Sequence, residues 1–262
     1  MERNDIAYLI NSVPKYYYLL DLHIGLIRRY ASEIKWPIYF ATEEPDHTIS
    51  RMLKEKYNIE ILVLEKENSS FLSSRKRALE LLPNHIKYVF PMQEDFLLER
   101  YIDKKTIDES IEILEKEDKI FCIRYMPCPG PHKDNLNYNE KWRYITKKDI
   151  YRFCFQASMW KRQECQEWYD AICNEVMKKG NLTKEKQKEL EVNINIAENN
   201  VGQQLFNSLF VNKTIIGYIR HHKEANAVYM SPWPYRPTAV VKGVLQPFAI
   251  ELSLREGYSI SI

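Results

Sequence analysis

Glycine is scarce in this chain, seven in 262 residues. No Gly-rich phosphate loop of the G-x-x-x-x-G-K-S/T type occurs, so nucleotide binding of the P-loop kind is excluded. Long apolar runs are also missing. Nothing approaches the roughly 18 consecutive apolar residues that a membrane span needs. The amino terminus, MERNDIAYLINS, is charged and then briefly apolar, without the apolar core of a secretory signal. Neither sign of charge is in excess: 38 Lys and Arg against 36 Asp and Glu leave a formal +2. A nucleic-acid protein would show a basic excess, so nucleic acid is not an expected partner. The five cysteines are odd in number, and no two have the C-x-x-C spacing of a zinc site. Free buried thiols in a reducing, cytoplasmic setting are expected. Internal repeats and low-complexity segments are absent.

What is present suffices for one sizeable core, with 45% hydrophobic residues. The first half alternates. IAYLIN (Ile6–Asn11) reads as a buried strand, and Pro14 opens a helix whose inner face holds Leu19, Leu22, Leu26 and Ile27. WPIYFAT is a second strand, followed by a helix over DHTISRMLKEKY with Asp46 as candidate cap. IEILVLE, KYVFPMQEDF and KIFCIRYM continue the strands. SSFLSSRKRALELL and TIDESIEILEKE are the helices between them. Strands alternating with helices predict an α/β fold with a mostly parallel central sheet covered on both faces. After this the pattern loosens. PCPGPHKDNLNYNEKW is a turn-rich excursion, and IYRFCFQASMW reads as a strand returning to the sheet. KRQECQEWYDAICNEVMKK is a helix, and GNLTKEKQKELEVNIN a polar connection or short helix. NNVGQQLFNSLFVN is a further helix and TIIGYIRH a last strand. One catalytic domain is expected over 1–239, divided into halves 1–125 and 126–239, with 240–262 as a smaller C-terminal tail.

The stretch HIKYVFPMQEDFLLER places two adjacent acids, Glu94 and Asp95, at the end of an otherwise apolar strand. Charge in such a place needs a compensator: a cation, a hydrogen-bonding ligand or a metal. Ligands of open parallel sheets bind beyond the carboxyl ends of the strands, where these acids lie. Alternation along a strand would put the two side chains on opposite faces. Strand-end acids beside a diphosphate suit Mg²⁺ or Mn²⁺, which take oxygen ligands from one or two carboxylates and from phosphate.

The order of elements, with QED closing the fourth strand, resembles the nucleotide-sugar glycosyltransferases of the GT-A fold, over roughly residues 6–222. The size and the short alternating start also look like the small glycosyltransferases that large DNA viruses use on capsid glycans. The family's acidic motif is often Asp-x-Asp; here Gln93 holds the first place and only Glu94 and Asp95 are acidic. The resemblance implies Asp95 as ligand of Mn²⁺ or Mg²⁺ and Glu94 as a ribose or metal contact. It implies a nucleoside-diphosphate sugar donor, met by Asn11, Ser12 and Lys15 after the first strand and by Thr42 and Glu43 after the second. Arg75 or Lys76 would meet the diphosphate, a strong charge-assisted contact. Gln156, Ser158 and Trp160 would form the pocket for a glycan or glycoprotein acceptor. Glu198, ahead of a helix capped by Asn199 or Asn200, would be the base of an inverting transfer. His221 or His222 would complete the metal site, with Arg220 or Lys223 near the leaving diphosphate. SPWPYRP would close over the donor as a lid. Two other classes use similar parts: a metal-dependent nucleotidyltransferase or nuclease with the same strand-end acids, and a non-catalytic glycan-binding module.

Overall fold

The period-2 alternation of the strands builds two cores back to back. β1 (Ile6–Asn11), β2 (Ile38–Thr42), β3 (Glu60–Val63) and β4 (Tyr88–Gln93) lie parallel in the order β3-β2-β1-β4. Ile6, Tyr8, Ile10, Phe40 and Phe90 enter one core, while Ala7, Leu9, Tyr39, Ala41 and Val89 enter the other. Helices α1 (Leu20–Tyr30), α2 (Thr48–Tyr57) and α4 (Lys104–Lys116) cover the first core. Helices α3 (Phe71–Leu81) and α5 (Arg162–Lys178) cover the second. This is a computed structural model, and it describes residues 3–67, 69–178, 195–219, 230–236 and 238–260.

The sheet continues past β4 through β8 (Ser158–Lys161), β6 (Ile120–Arg124), β9 (Thr214–Tyr218) and β7 (Trp142–Ile145), eight strands in all. Only β8 and β7 run antiparallel to their neighbours. The expected α/β class with a mostly parallel sheet and helices on both faces is the architecture observed. The single-turn α6 (Asn195–Glu198) leads into α7 (Asn200–Leu209), whose Phe206 joins the second core. Asn199 caps α7, its side chain accepting from the Val201 and Gly202 amides. Among the described residues, no helix is long and apolar enough to cross a membrane.

Several local expectations are corrected. The helix after Pro14 starts as a 3-10 segment, Pro14–Leu19, before α1 proper. The cap of α2 is His47, whose Nδ1 accepts from the Ile49 amide at 3.2 Å, rather than Asp46. The strand expected over 150–160 shrinks to Ser158–Lys161. Its upstream carbonyls are taken by a side chain instead of a ladder: the buried Arg124 guanidinium donates to Tyr151 O at 2.9 Å and to Arg152 O at 2.8 Å. The proposed lid is no lid where it is described. Trp233 is fully buried, stacked on Trp36 at 6.4 Å and edge-on to Phe90 at 4.8 Å. β10 (Tyr235–Arg236) then pairs with β5 (Leu97–Leu98), the short strand just after Asp95.

The C-terminal tail forms a hairpin, β11 (Val240–Val241) and β12 (Val244–Leu245), and then α8 (Pro247–Glu256). Leu245, Ala249 and Leu252 belong to the first core. The polar connection expected over 180–195 lies outside the described residues up to Asn195, which opens α6.

Candidate active site

The strand order turns at β1, with β2 and β3 on one side and β4 on the other. In a parallel sheet a crevice opens beyond the strand ends at such a point. A cleft of about 560 Å³ lies there. Its walls come from the segments after β1, β2 and β4, from the start of α3 and from the C-terminal hairpin.

Glu94 and Asp95 both line this cleft, contrary to the expectation that they face opposite ways. The reason is local. β4 ends at Gln93, and a turn closed by Phe96 N donating to Gln93 O at 3.1 Å carries the two acids, so alternation no longer applies. Asp95 is held from the tail side: its carbonyl accepts from Ala239 N at 2.9 Å, and its Oδ2 from Val240 N at 3.4 Å. Burial pushes the Glu94 carboxyl up to about 7 against the milder pull of its hydrogen bonds and Arg75, and the charge of Asp95 adds to the push. Burial pushes Asp95 up to about 6. The cation acting on both is Arg75, itself lowered by burial. Its guanidinium lies 3.5 Å over the Phe71 ring and donates to Phe71 O at 2.9 Å.

The other donor-side candidates divide. Asn11 and Ser12 are on the cleft wall, Asn11 fixed by Nδ2 donating to Ser74 O at 3.3 Å. Glu43 is also on the wall, and its Oε1 accepts from Ser69 Oγ at 2.5 Å and Ser74 Oγ at 2.8 Å. Thr42 is fully buried and off the wall; its Oγ1 bonds the Tyr17 hydroxyl and accepts from Glu44 N at 2.9 Å. Lys76 points to α5, with Nζ 3.1 Å from Asp170, while Arg75 on the same helix faces the cleft. Lys15 is exposed, with its ammonium 5.4 Å from the Tyr16 ring centre.

A small second pocket adjoins the cleft and shares Asn11, Arg75 and Gln93 with it. Gln156 and Trp160 line it. Gln156 Oε1 accepts from the Tyr235 hydroxyl at 2.6 Å. Trp160 is buried among Phe121, Phe153 and Phe206, each roughly edge-on to it, which leaves little ring face for a sugar. Ser158 is buried, and its Oγ donates to Gln156 O at 2.8 Å. Glu198 is on the wall of neither pocket; it sits behind Phe155, with Oε1 accepting from Phe155 N at 3.0 Å, and burial raises its pKa. His221, His222, Arg220 and Lys223 lie outside the described residues. Among the described residues, no cluster of three or more His, Cys, Asp or Glu side chains could hold a metal.

Sequence reasoning missed Tyr16, the Ser69, Ser70 and Ser74 group, and Lys242 with Gly243, all on the cleft wall. Four serines in SSFLSS at a helix start were a visible signal. The hairpin residues carried none, because the tail had no pattern tying it to the first strand.

No family model matches the chain, and no curated protein matches it. Solved structures offer distant likenesses. Staphylococcus aureus TarS 1–349 is 13% identical, covering 84% of this chain and 58% of that one, with a TM-score of 0.46. The same protein in complex with UDP-GlcNAc gives 12%, 85%, 60% and 0.44. A 4-diphosphocytidyl-2C-methyl-D-erythritol synthase from Anaerococcus prevotii is 14% identical, covering 70% of this chain and 82% of that one, with a TM-score of 0.41. This chain thus spans under two thirds of the TarS structures, and at such TM-scores the likenesses carry no argument about its activity.

Proposed function

We propose that this chain is a glycosyltransferase of the GT-A type. It takes a sugar from a nucleoside-diphosphate donor, with Mn²⁺ or Mg²⁺, and passes it to a hydroxyl of a glycan or glycoprotein. The observation that carries this reading is the pair of adjacent carboxylates, with Arg75 as their shared cation, on one wall of a cleft at the strand-order turn.

The acids fit a hard divalent cation. Glu94 and Asp95 offer adjacent oxygen ligands in a buried setting, and Mg²⁺-like ions bind through one or two carboxylates with phosphate oxygens completing the shell. When bound, the cation would neutralise charge that develops on a departing diphosphate. The chain's own groups do the rest. Arg75 reaches the cleft from α3 as a fixed cation for the diphosphate. Asn11, Ser12 and Glu43 orient the nucleoside through hydroxyl and amide contacts. Glu198, with its pKa raised and one oxygen pinned by Phe155 N, accepts the proton of the acceptor hydroxyl as that oxygen attacks the anomeric carbon. The attack comes from the face opposite the leaving diphosphate, so the configuration inverts.

A screen of UDP-, GDP-, CDP- and ADP-sugars for hydrolysis, with and without Mn²⁺, tests this. Cation-dependent hydrolysis of one donor class, lost in Asp95→Ala, is expected. Release of pyrophosphate from a nucleoside triphosphate would point to a nucleotidyltransferase. Glycan binding without nucleotide would point to a binding module.

A further inference from the structure

The tail contributes to the cleft a lysine that no sequence pattern singled out. β11 and β12 are joined by Lys242 and Gly243, whose φ angles are 51° and 79°. Two consecutive left-handed residues make a two-residue hairpin turn of the primed kind, which favours Asn-Gly or Gly-Gly. Lysine is a costly choice at its first position, because a side chain with a Cβ seldom adopts φ > 0 outside Asn and Asp. Both turn residues line the cleft that Glu94, Asp95 and Arg75 line.

The turn also meets a second lysine. A Cβ added to Gly243 would stand 3.6 Å from the Lys15 ammonium. Among the described residues, neither Lys15 nor Lys242 makes an ion pair with a carboxylate. Two unpaired ammonium groups, one near each end of the chain, are therefore brought to the same rim. The hairpin is fastened at its base to the acid turn by Ala239 N donating to Asp95 O and Val240 N to Asp95 Oδ2. Core packing of Leu245 and Ala249 fixes its far side. It is a seated wall with a strained cationic tip.

Resting on the donor-site reading above, we propose that this hairpin is the outer wall of the donor site and that Lys242 binds the diphosphate there, with Arg75 reaching the same cleft from α3. Backbone strain of this kind clusters at ligand clamps, where the surrounding structure holds it in place. A cation on the tail side gives the diphosphate a partner that the acid turn cannot provide.

Calorimetry on the full chain tests this with inorganic pyrophosphate and with UDP, GDP, CDP and ADP, each with Mn²⁺, and with the four nucleosides alone. Lys242→Asn should weaken diphosphate binding by about tenfold or more, the worth of one charge-assisted contact. Nucleoside affinity should not change. The unliganded Tm of the variant should hold or rise, because Asn accepts the left-handed backbone more readily than Lys. Lys242→Arg should keep most of the diphosphate affinity. If Lys242→Asn binds diphosphates like the wild type while Arg75→Gln loses them, the hairpin proposal is overturned and the donor site stands. A lower Tm with equal losses for nucleosides and diphosphates would make Lys242 structural and also overturn it. If the wild type binds none of the diphosphates, the donor-site reading falls as well.

Discussion

Two buried acidic sites in this molecule are solved in opposite ways. Glu256, near the end of α8, has a side chain only 3% exposed. Its Oε1 accepts from the Tyr30 hydroxyl at 2.6 Å and from Arg255 Nε at 2.9 Å, and Arg29 pairs with Oε2. These partners outweigh burial and hold its pKa below the usual carboxylate value. At the cleft Glu94 is buried and Asp95 half-buried, with one shared, half-buried arginine, and burial wins: their pKa values rise to about 7 and about 6. The fold can compensate a buried carboxylate when that carboxylate only holds the structure together. At the cleft two stand side by side with too little compensation to offset burial, and this imbalance is what the proposed donor and cation would complete.

The largest effects belong to the uncompensated side. Asp95→Ala should lower transfer by at least about 100-fold, since a group that stabilises developing charge is typically worth that much or more. Its Tm without ligand should hold or rise, because one of two repelling buried charges is gone. Full activity of this variant with Mn²⁺ would break the contrast outright. Glu198→Gln comes next. It keeps shape and polarity but cannot take a proton, so kcat should fall about 100-fold or more while donor affinity stays within about twofold. Comparable losses in both would turn Glu198 into a donor contact or a structural residue.

The pH dependence sharpens the same contrast, with opposite signs at the two sites. Glu94 and Asp95 have folded pKa values above their ordinary 4.5 and 3.8. Between the ordinary and raised values the native protein holds protons that the unfolded chain has released. Stability from this pair is therefore full in acid and declines as pH rises from about 4 to about 7. Glu256, with its pKa lowered, contributes stability that is present above its ordinary 4.5 and is lost as pH falls through its folded value. Thermal melts from pH 4 to pH 8 should show the first decline. Millimolar Mn²⁺ should flatten it above pH 6 by occupying the ionised carboxylates, and should leave the acid limb unchanged. Mn²⁺ affinity should climb between about pH 5.5 and 7.5 as protons cease to compete. A decline untouched by the metal would separate the acids from any cation.

Much of the fold was legible because β1, β2 and β4 are short apolar runs buried on both faces and the helices between them carry one apolar stripe each. QED could be read as a strand-end acid pair. The common facing of the two acids could not, since it depends on the strand stopping at Gln93, three residues before the Phe96 that its apolar pattern suggests. In the second half, the shortened β8 was hidden because Arg124, distant in sequence, takes the carbonyls a strand would have used. Trp233 looked like part of a mobile aromatic loop because local proline content says nothing about tertiary burial. The tail's place on the cleft wall was equally invisible, resting on main-chain bonds from Ala239 and Val240 to Asp95.

The smallest expected effect is at the compensated site. Glu256→Gln keeps the side chain's volume but removes its charge and turns one acceptor into a donor facing guanidinium groups. A lost hydrogen bond to a charged partner costs about 1.5–3 kcal/mol. Here the partners Arg29 and Arg255 are 52% and 58% exposed, so water recovers part of their share. A net loss of about 1–2 kcal/mol is expected, a fall in Tm of roughly 2–8 °C for a chain of this size. Donor affinity and kcat should stay as in the wild type, since α8 reaches the cleft only through the hairpin ahead of it. Glu94→Gln, the same substitution at the other site, should instead hold or raise the unliganded Tm above pH 7 and weaken Mn²⁺ binding. Opposite signs from one chemical change would separate an acid that stabilises the fold from one that awaits a ligand; equal destabilisation at both sites would show that the cleft acids are as well compensated as Glu256.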